Sequence, residues 1–251
     1  MYNEIDDKFH EECGVFGIYD NSLKSDSQTS YISYYGLYSL QHRGQESAGI
    51  FVSDGKNISG IKEMGLVNQI FSPSTLDKMK GFSAIGHVRY STSGDSSVIN
   101  AQPLVGNSKL GQVAIAHNGN LINNGILKDL LEDSGIIFQT TSDSEVILNL
   151  IARGANKGIE KAVFDAMQAI KGSYAIVILF QDKLIAVRDP NGIRPLCLGK
   201  KDDAYVFASE SCSLDSVGAE FIRDVNPGEM IICDKDGIHS VEITEKTKCE
   251  I

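Results

Sequence analysis

Tryptophan is absent from the 251 residues, and proline is scarce at five. The few prolines make no Pro-rich linker, and no internal repeat or low-complexity segment is present, so one domain is the simplest organisation. No apolar run approaches the roughly 20 residues needed to span a bilayer, which argues against a membrane partner. Basic runs and aromatic–basic interleaving are missing too. Lys and Arg number 23 against 33 Asp and Glu, a net charge of −10, so nucleic acid is not an expected partner. The five cysteines, Cys13, Cys197, Cys212, Cys233 and Cys249, contain no CxxC pair. Their odd number and wide spacing argue against a disulfide framework and for a reducing compartment, so the expected location is cytoplasmic.

What is present is an ordinary globular composition, 42% hydrophobic and 22% charged with 24 glycines. It suffices for one large core or two small ones. Alternating or continuous apolar runs bounded by Gly, Asp or Asn predict strands over 14–19, 49–53, 58–64, 83–90, 113–116, 174–180, 184–188, 205–208, 230–233 and 238–243. Helical periodicity predicts helices over 31–40, 125–132, 144–153 and 159–170. Ser142 to Glu145 reads as a capping box opening the third of these. Strands outnumber helices, and the helices are grouped rather than alternating singly with strands. That grouping favours two sheets covered by helices over a doubly wound parallel sheet.

Cys13 stands where the chain changes character. Behind it lie twelve charged residues, MYNEIDDKFHEE, without apolar periodicity. They carry no apolar stretch and are net acidic, unlike a secretory signal. Ahead of it the chain turns at once into Gly14-Val15-Phe16-Gly17-Ile18-Tyr19. A polar leader ending in Glu11-Glu12 before such a Cys suggests a propeptide whose removal makes Cys13 the N-terminus. A terminal Cys supplies both a thiol nucleophile and an α-amine base, whose reference pKa of roughly 7.7–8.0 is close to working pH. The plainer alternatives are an inert core cysteine and an ordinary frayed terminus.

Four further segments place polar groups beside apolar runs. In Leu40-Gln41-His42-Arg43-Gly44-Gln45-Glu46, Arg43 is either part of a solvated helix cap or a fixed cation near the nucleophile, able to lower its pKa or orient it. In Gly86-His87-Val88-Arg89-Tyr90, Arg89 ends a strand before a Ser/Thr/Gly loop. It can pair bidentately with a carboxylate, of a ligand or of a neighbouring residue. His87 shares its sheet face two residues earlier and reads better as a buried structural histidine. In Ala116-His117-Asn118-Gly119-Asn120, Asn-Gly ordinarily marks a tight turn. An Asn amide and the next backbone N–H can also converge on one developing oxyanion. Asp143 in a first helical turn complements the helix dipole, or else pairs with a substrate ammonium. Arg89 for an α-carboxylate and Asp143 for an α-ammonium would together read an amino-acid zwitterion.

Taken in order, EECGVFGIYD, LQHRGQESAGI, GHVRYSTSG, AQPL, AHNGNL, TTSDSE, GSYA, RDPNGIRPL, ASES and NPGEM closely resemble the glutaminase domain of the amidophosphoribosyltransferases, the glutamine phosphoribosylpyrophosphate amidotransferases. The match runs from Glu11 to about Met230. The resemblance implies an α+β, four-layer αββα sandwich of two mainly antiparallel sheets, the N-terminal nucleophile hydrolase type. It implies that Cys13 attacks the amide carbon of L-glutamine, forms a thioester and releases ammonia. Asn118 and Gly119 map onto the oxyanion positions, Arg89 and Asp143 onto glutamine recognition, and Arg43 onto a position near the nucleophile. The 90–94 loop, with Thr92 as a substrate-binding residue, maps onto the segment that closes over glutamine.

On the same resemblance, residues 1–12 are a self-removed propeptide and 13–251 the glutaminase domain. The phosphoribosyltransferase half, which binds phosphoribosyl pyrophosphate in complete members, has no counterpart here. Magnesium and, in some members, an iron–sulfur cluster belong to the full-length enzyme, which is expected to be a homo-oligomer. Cys249 sits where some members place a cluster ligand, yet no cofactor or metal is expected in this chain. The expected role is supplying ammonia for 5-phosphoribosylamine in purine biosynthesis. A glutaminase serving another acceptor, or a non-catalytic glutamine-sensing domain, are the alternatives; LQHRGQE speaks against the first, and the full residue set against the second.

Overall fold

Cys13 runs directly into β1 (Gly14–Asp20), the middle strand of a seven-stranded sheet. The computed structural model describes residues 13–24, 27–90 and 97–243, so the proposed leader, Thr92 and Cys249 lie outside the described residues. The first sheet has the order β11 (Glu220–Asp224), β9 (Cys197–Lys201), β10 (Ala204–Ala208), β1, β4 (Ser83–Arg89), β2 (Ser47–Ser53), β3 (Ile58–Met64). The second has the order β13 (Gly237–Glu242), β12 (Glu229–Asp234), β8 (Leu184–Arg188), β7 (Gly172–Leu179), β6 (Gly111–Leu121), β5 (Leu104–Ser108). All the pairings within both sheets are antiparallel.

Side-chain alternation sorts these strands into three apolar layers. Val15, Tyr19 and Ile85 of the first sheet meet Ala114, Ala116, Ala175 and Val177 of the second. On the other face of the first sheet, Phe16, Ile18 and Val88 pack under Leu37 of α1 (Thr29–Ser39). Val67 of α2 (Val67–Ile70), Leu76 of α3 (Pro73–Leu76) and Leu214 of α7 (Ser211–Ser216) extend that layer. The outer face of the second sheet, with Ile115, Ile176 and Ile178, is covered by Ile147 and Ile151 of α5 (Asp143–Arg153) and by Val163 and Met167 of α6 (Ile159–Ala169). Leu127 of α4 (Asn124–Asp133) packs on the same cluster. The result is a four-layer αββα sandwich, as expected. Each sheet is buried on both faces, and for this reason the inner strands read as continuous apolar runs.

The differences from the expected elements have physical causes. The Asn118-Gly119 pair is not a turn: β6 continues through it to Leu121, with Asn118 opposite Ala175 and Gly119 opposite Tyr174 of β7. Cross-strand pairing overrides the local turn preference. The capping box is half formed. Ser142 Oγ accepts the Ser144 N–H at 3.3 Å, but the Glu145 carboxylate accepts the N–H groups of Gln139 and Thr140 at 2.9 and 2.7 Å. Strands β5 and β11 lie at sheet edges with several side chains exposed, which dilutes their apolar pattern. The short helices α2, α3 and α7 span four to six residues, too few for a period to register.

Two phenylalanines of the first sheet test this layering. Phe16 is fully buried, whereas Phe221 on β11 is 46% exposed. We expect Phe16→Ala to cost about 3–5 kcal/mol and Phe221→Ala about 0.5 kcal/mol or less, measured by urea unfolding.

Candidate active site

The ends of β1, β4 and β6 bring the chemistry-bearing residues to one region of the sandwich. Gly14 pairs with Val88, which places Cys13 beside the end of β4. The Cys13 thiol donates to the Tyr90 carbonyl at 3.5 Å. His87 and Arg89 alternate with Val88 and so share the inter-sheet face of β4 with Ile85. Asn118 alternates in the same way with Ala114 and Ala116 on the inner face of β6. It is 2% exposed, and its Nδ2 has no hydrogen-bond partner.

Arg43 ends a short 3-10 turn after α1. Its Nε donates to the Cys13 carbonyl at 3.0 Å, and its Nη1 to Glu210 Oε1 at 2.5 Å. Glu210 also meets His42 Nε2 at 3.0 Å. Burial raises the carboxyl pKa of Glu210, and the Arg43 and His42 contacts outweigh that, holding it below the usual range. The Arg43 contact is thus with the Cys13 backbone, and its charge also acts on the thiol. Burial pushes the Cys13 thiol up, and the charges of Arg89 and Arg43 recover only part of that shift. A thiol so placed needs a base.

Arg89 is buried and donates from Nη1 to Glu46 Oε1 at 2.9 Å. The other oxygen of Glu46 is buried without a hydrogen-bond partner. Glu46 lies in the Arg43 segment, but only the pairing of Ser47 with Arg89 across β2 and β4 reveals its purpose. Asp143, the first residue of α5, accepts the Leu121 N–H at Oδ2, 3.0 Å away. Its Oδ1 is 3.5 Å from His117 Nδ1, which also meets Ser144 Oγ at 3.1 Å. Burial works to raise the Asp143 pKa, but His117 and the Leu121 and Ser144 N–H groups outweigh it and hold it low.

Two groups therefore form. One gathers Cys13, Arg43, Arg89, Glu46 and Glu210; the other gathers Asn118, Gly119, His117 and Asp143. His87 joins them: it donates from Nε2 across the sheets to the His117 carbonyl at 3.0 Å. Gln102 reaches the same backbone, accepting the His117 N–H at 2.7 Å and donating to its carbonyl at 3.3 Å. His87 is thus a buried structural histidine. Gly119 has φ of +147°, and a Cβ there would lie 2.1 Å from the Ser173 carbonyl oxygen, so only glycine fits. Among the described residues, no group of three or more His, Cys, Asp or Glu is placed to hold a metal ion. No helix among them is long and apolar enough to cross a membrane.

The glutamine amidotransferase domain family matches residues 87–216, a stretch holding Arg89, Asn118, Gly119, Asp143 and Glu210. The chain belongs to that family. This glutamine amidotransferase domain is 48% identical over 232 residues to chloroplastic amidophosphoribosyltransferase 3 of Arabidopsis thaliana, covering 92% of this chain and 43% of that protein. It is 47% identical to the amidophosphoribosyltransferase of Bacillus subtilis strain 168, over 92% of this chain and 48% of that one. The B. subtilis glutamine phosphoribosylpyrophosphate amidotransferase complexed with ADP and GMP superimposes with a TM-score of 0.85 at 45% identity, over 92% of this chain and 49% of that chain. A structure described as the allosteric regulatory enzyme of purine biosynthesis gives a TM-score of 0.87 at 45% identity. The chain spans less than half the length of these relatives. Its two-sheet sandwich is of the N-terminal nucleophile hydrolase type.

His87 generates a pH prediction. Burial, with His117, Arg89 and Lys62 nearby, drives its pKa down to about 3. Between that value and the unfolded histidine value of roughly 6.5, the unfolded chain binds a proton that the folded chain does not, so stability falls as pH falls. We expect His87→Gln to flatten this acid limb by up to about 1.4 kcal/mol per pH unit, read from urea midpoints between pH 7 and 4.

Proposed function

We propose that this domain hydrolyses glutamine with Cys13 as nucleophile, after removal of residues 1–12. The observation that carries the reading is the Asn118 amide: a buried donor without a partner, on the face of β6 that looks toward the strand led by Cys13. A native protein seldom leaves such a donor unsatisfied unless a ligand completes it.

The α-amine of a freed Cys13 takes the proton from its own raised thiol, which supplies the base that the burial of the site demands. The thiolate attacks the side-chain amide carbon of glutamine. The oxyanion that forms is met by Asn118 Nδ2 and by the Gly119 N–H. Alternation along β6 points that N–H toward the edge where Gln102 and Asp143 take the N–H groups of His117 and Leu121. Collapse of the tetrahedral adduct expels ammonia, which carries away the proton held by the α-amine, and leaves a γ-glutamyl thioester; water then releases glutamate. Arg89 binds the α-carboxylate of glutamine and Asp143 its ammonium. Arg43 holds the Cys13 carbonyl, so the nucleophile keeps its direction. Thr92 is proposed to contact glutamine from the 90–94 loop.

The ammonia acceptor is proposed to be phosphoribosyl pyrophosphate, bound by the part of such enzymes beyond this chain's span, to give 5-phosphoribosylamine for purine biosynthesis. The names of the relatives support this. Any magnesium or iron–sulfur cluster is assigned to that part as well. The free thiols of Cys13, Cys197, Cys212 and Cys233 suit a reducing setting such as the cytoplasm.

Incubation with a diazo-ketone analogue of glutamine, followed by intact mass measurement, tests the reading. We expect loss of residues 1–12 and one adduct, mapped to Cys13. Cys13→Ala should abolish both adduct and glutamine hydrolysis with an unchanged unfolding midpoint; hydrolysis surviving in that variant refutes the assignment. Asn118→Ala should lower kcat roughly 10²–10³-fold, the usual effect of losing one oxyanion donor.

A further inference from the structure

Strand β6 changes partners midway. Up to Ile115 its outer edge pairs with β5, Gly106 opposite Val113 and Leu104 opposite Ile115. The same register puts residue 102 opposite residue 117 and residue 100 opposite residue 119. The backbone ladder stops at Leu104, just after Pro103 in the chain. At the next position the side chain of Gln102 takes over. Its amide accepts the His117 N–H at 2.7 Å and donates to the His117 carbonyl at 3.3 Å, reproducing both bonds of a ladder pair. Asn100, opposite Gly119 in register, turns away. Its amide instead grips Thr141, accepting the backbone N–H at 3.1 Å and donating to Oγ1 at 2.9 Å, two residues before Asp143.

The segment is held for this purpose. Gln102 is 5% exposed and Asn100 1%. A Cβ at residue 49 would lie 2.3 Å from the Gln102 carbonyl oxygen, so Gly49 lets β2 close over it. Lys62 Nζ donates to the Ala101 carbonyl at 2.7 Å. Were the backbone ladder to continue, Asn100 would cover the Gly119 N–H. The substitution of side-chain amides for backbone ends the ladder one position earlier and leaves that edge of β6 facing the site.

We propose that Gln102 and Asn100 are positioning residues for glutamine hydrolysis: Gln102 sets the oxyanion donors of Asn118 and Gly119, and Asn100 sets the helix start that carries Asp143. This rests on the roles proposed above for those three residues. The two amides act on different stages. Gln102 governs groups that tighten on the transition state, and Asn100 a group that holds glutamine before reaction.

Steady-state kinetics on Gln102→Ala, Gln102→Glu and Asn100→Ala separate the stages. Glu keeps the shape and the acceptor for the His117 N–H but sets an oxygen against the His117 carbonyl, so it tests the bond without a cavity. We expect both Gln102 variants to lose roughly 10- to 100-fold in kcat, with KM for glutamine within about twofold. Asn100→Ala should raise KM roughly 10-fold with a smaller effect on kcat. Hydrogen exchange should speed up in the 113–121 peptide of the Gln102 variants, and unfolding midpoints should show the chain still folded. Unchanged kcat and unchanged exchange in Gln102→Glu overturn the proposal, as does a common loss in all three variants that tracks folded fraction alone. A wild-type chain that hydrolyses no glutamine, with exchange still faster in the Gln102 variants, counts against the function and upholds the positioning of β6.

Discussion

The backbone of His117 is the joint on which the site is built. Its carbonyl accepts one hydrogen bond from His87 of the opposite sheet and another from Gln102, while its N–H is taken by the same glutamine amide. Its ring, on the other face of β6, touches Ser144 and Asp143 at the start of α5. Three layers of the sandwich therefore meet at one residue. A shift of the sheets against each other would break the buried His87 bond to that oxygen, which is costly to leave unmade. The positions of Asn118 and Gly119, one and two residues further on, follow from that anchorage.

Charge is handled locally although the chain carries a net −10. The two arginines nearest Cys13 each have a carboxylate partner, Glu210 for Arg43 and Glu46 for Arg89. These pairs fix geometry more than they stabilise, because removing two charges from water offsets most of their attraction. Arg43 spends its Nε on a neutral carbonyl, and so its reach toward Cys13 is directional as well as electrostatic. Oε2 of Glu46 and Nδ2 of Asn118 are both buried without a hydrogen-bond partner.

Much of this was legible in the chain. Most inner strands could be read because burial on both faces makes them continuously apolar; β8 falls at the expected limits, and so does the edge strand β3. Cys13, Arg89 and Asn118 stood out as polar groups at the ends of, or within, such runs. Strands β5, β9 and β11 and the shortest helices were not legible: β5 and β11 carry few buried positions, and β9 is a five-residue run ending in two lysines. Nor were the tasks of Glu46, Asn100, Gln102 and Glu210. Each is a short-range polar partner whose meaning depends on which distant backbone lies opposite, and sheet register is a tertiary fact. Gln102 is the clearest instance, because AQPL is visible as a motif while its pairing with His117 appears only when β5 and β6 are aligned.

The grip on Cys13 bears on the proposed removal of residues 1–12. Arg43 holds the residue by its carbonyl, the Val15 N–H is bound to Ser209 Oγ at 2.9 Å, and β1 is paired on both sides by β4 and β10. Every one of these anchors lies on the carboxyl side of the Cys13 nitrogen. Scission of the bond before it would release an amine and disturb none of them. If residues 1–12 are removed as proposed, the surroundings of Cys13 are assembled beforehand, and the change requires a single broken bond rather than a refolded site.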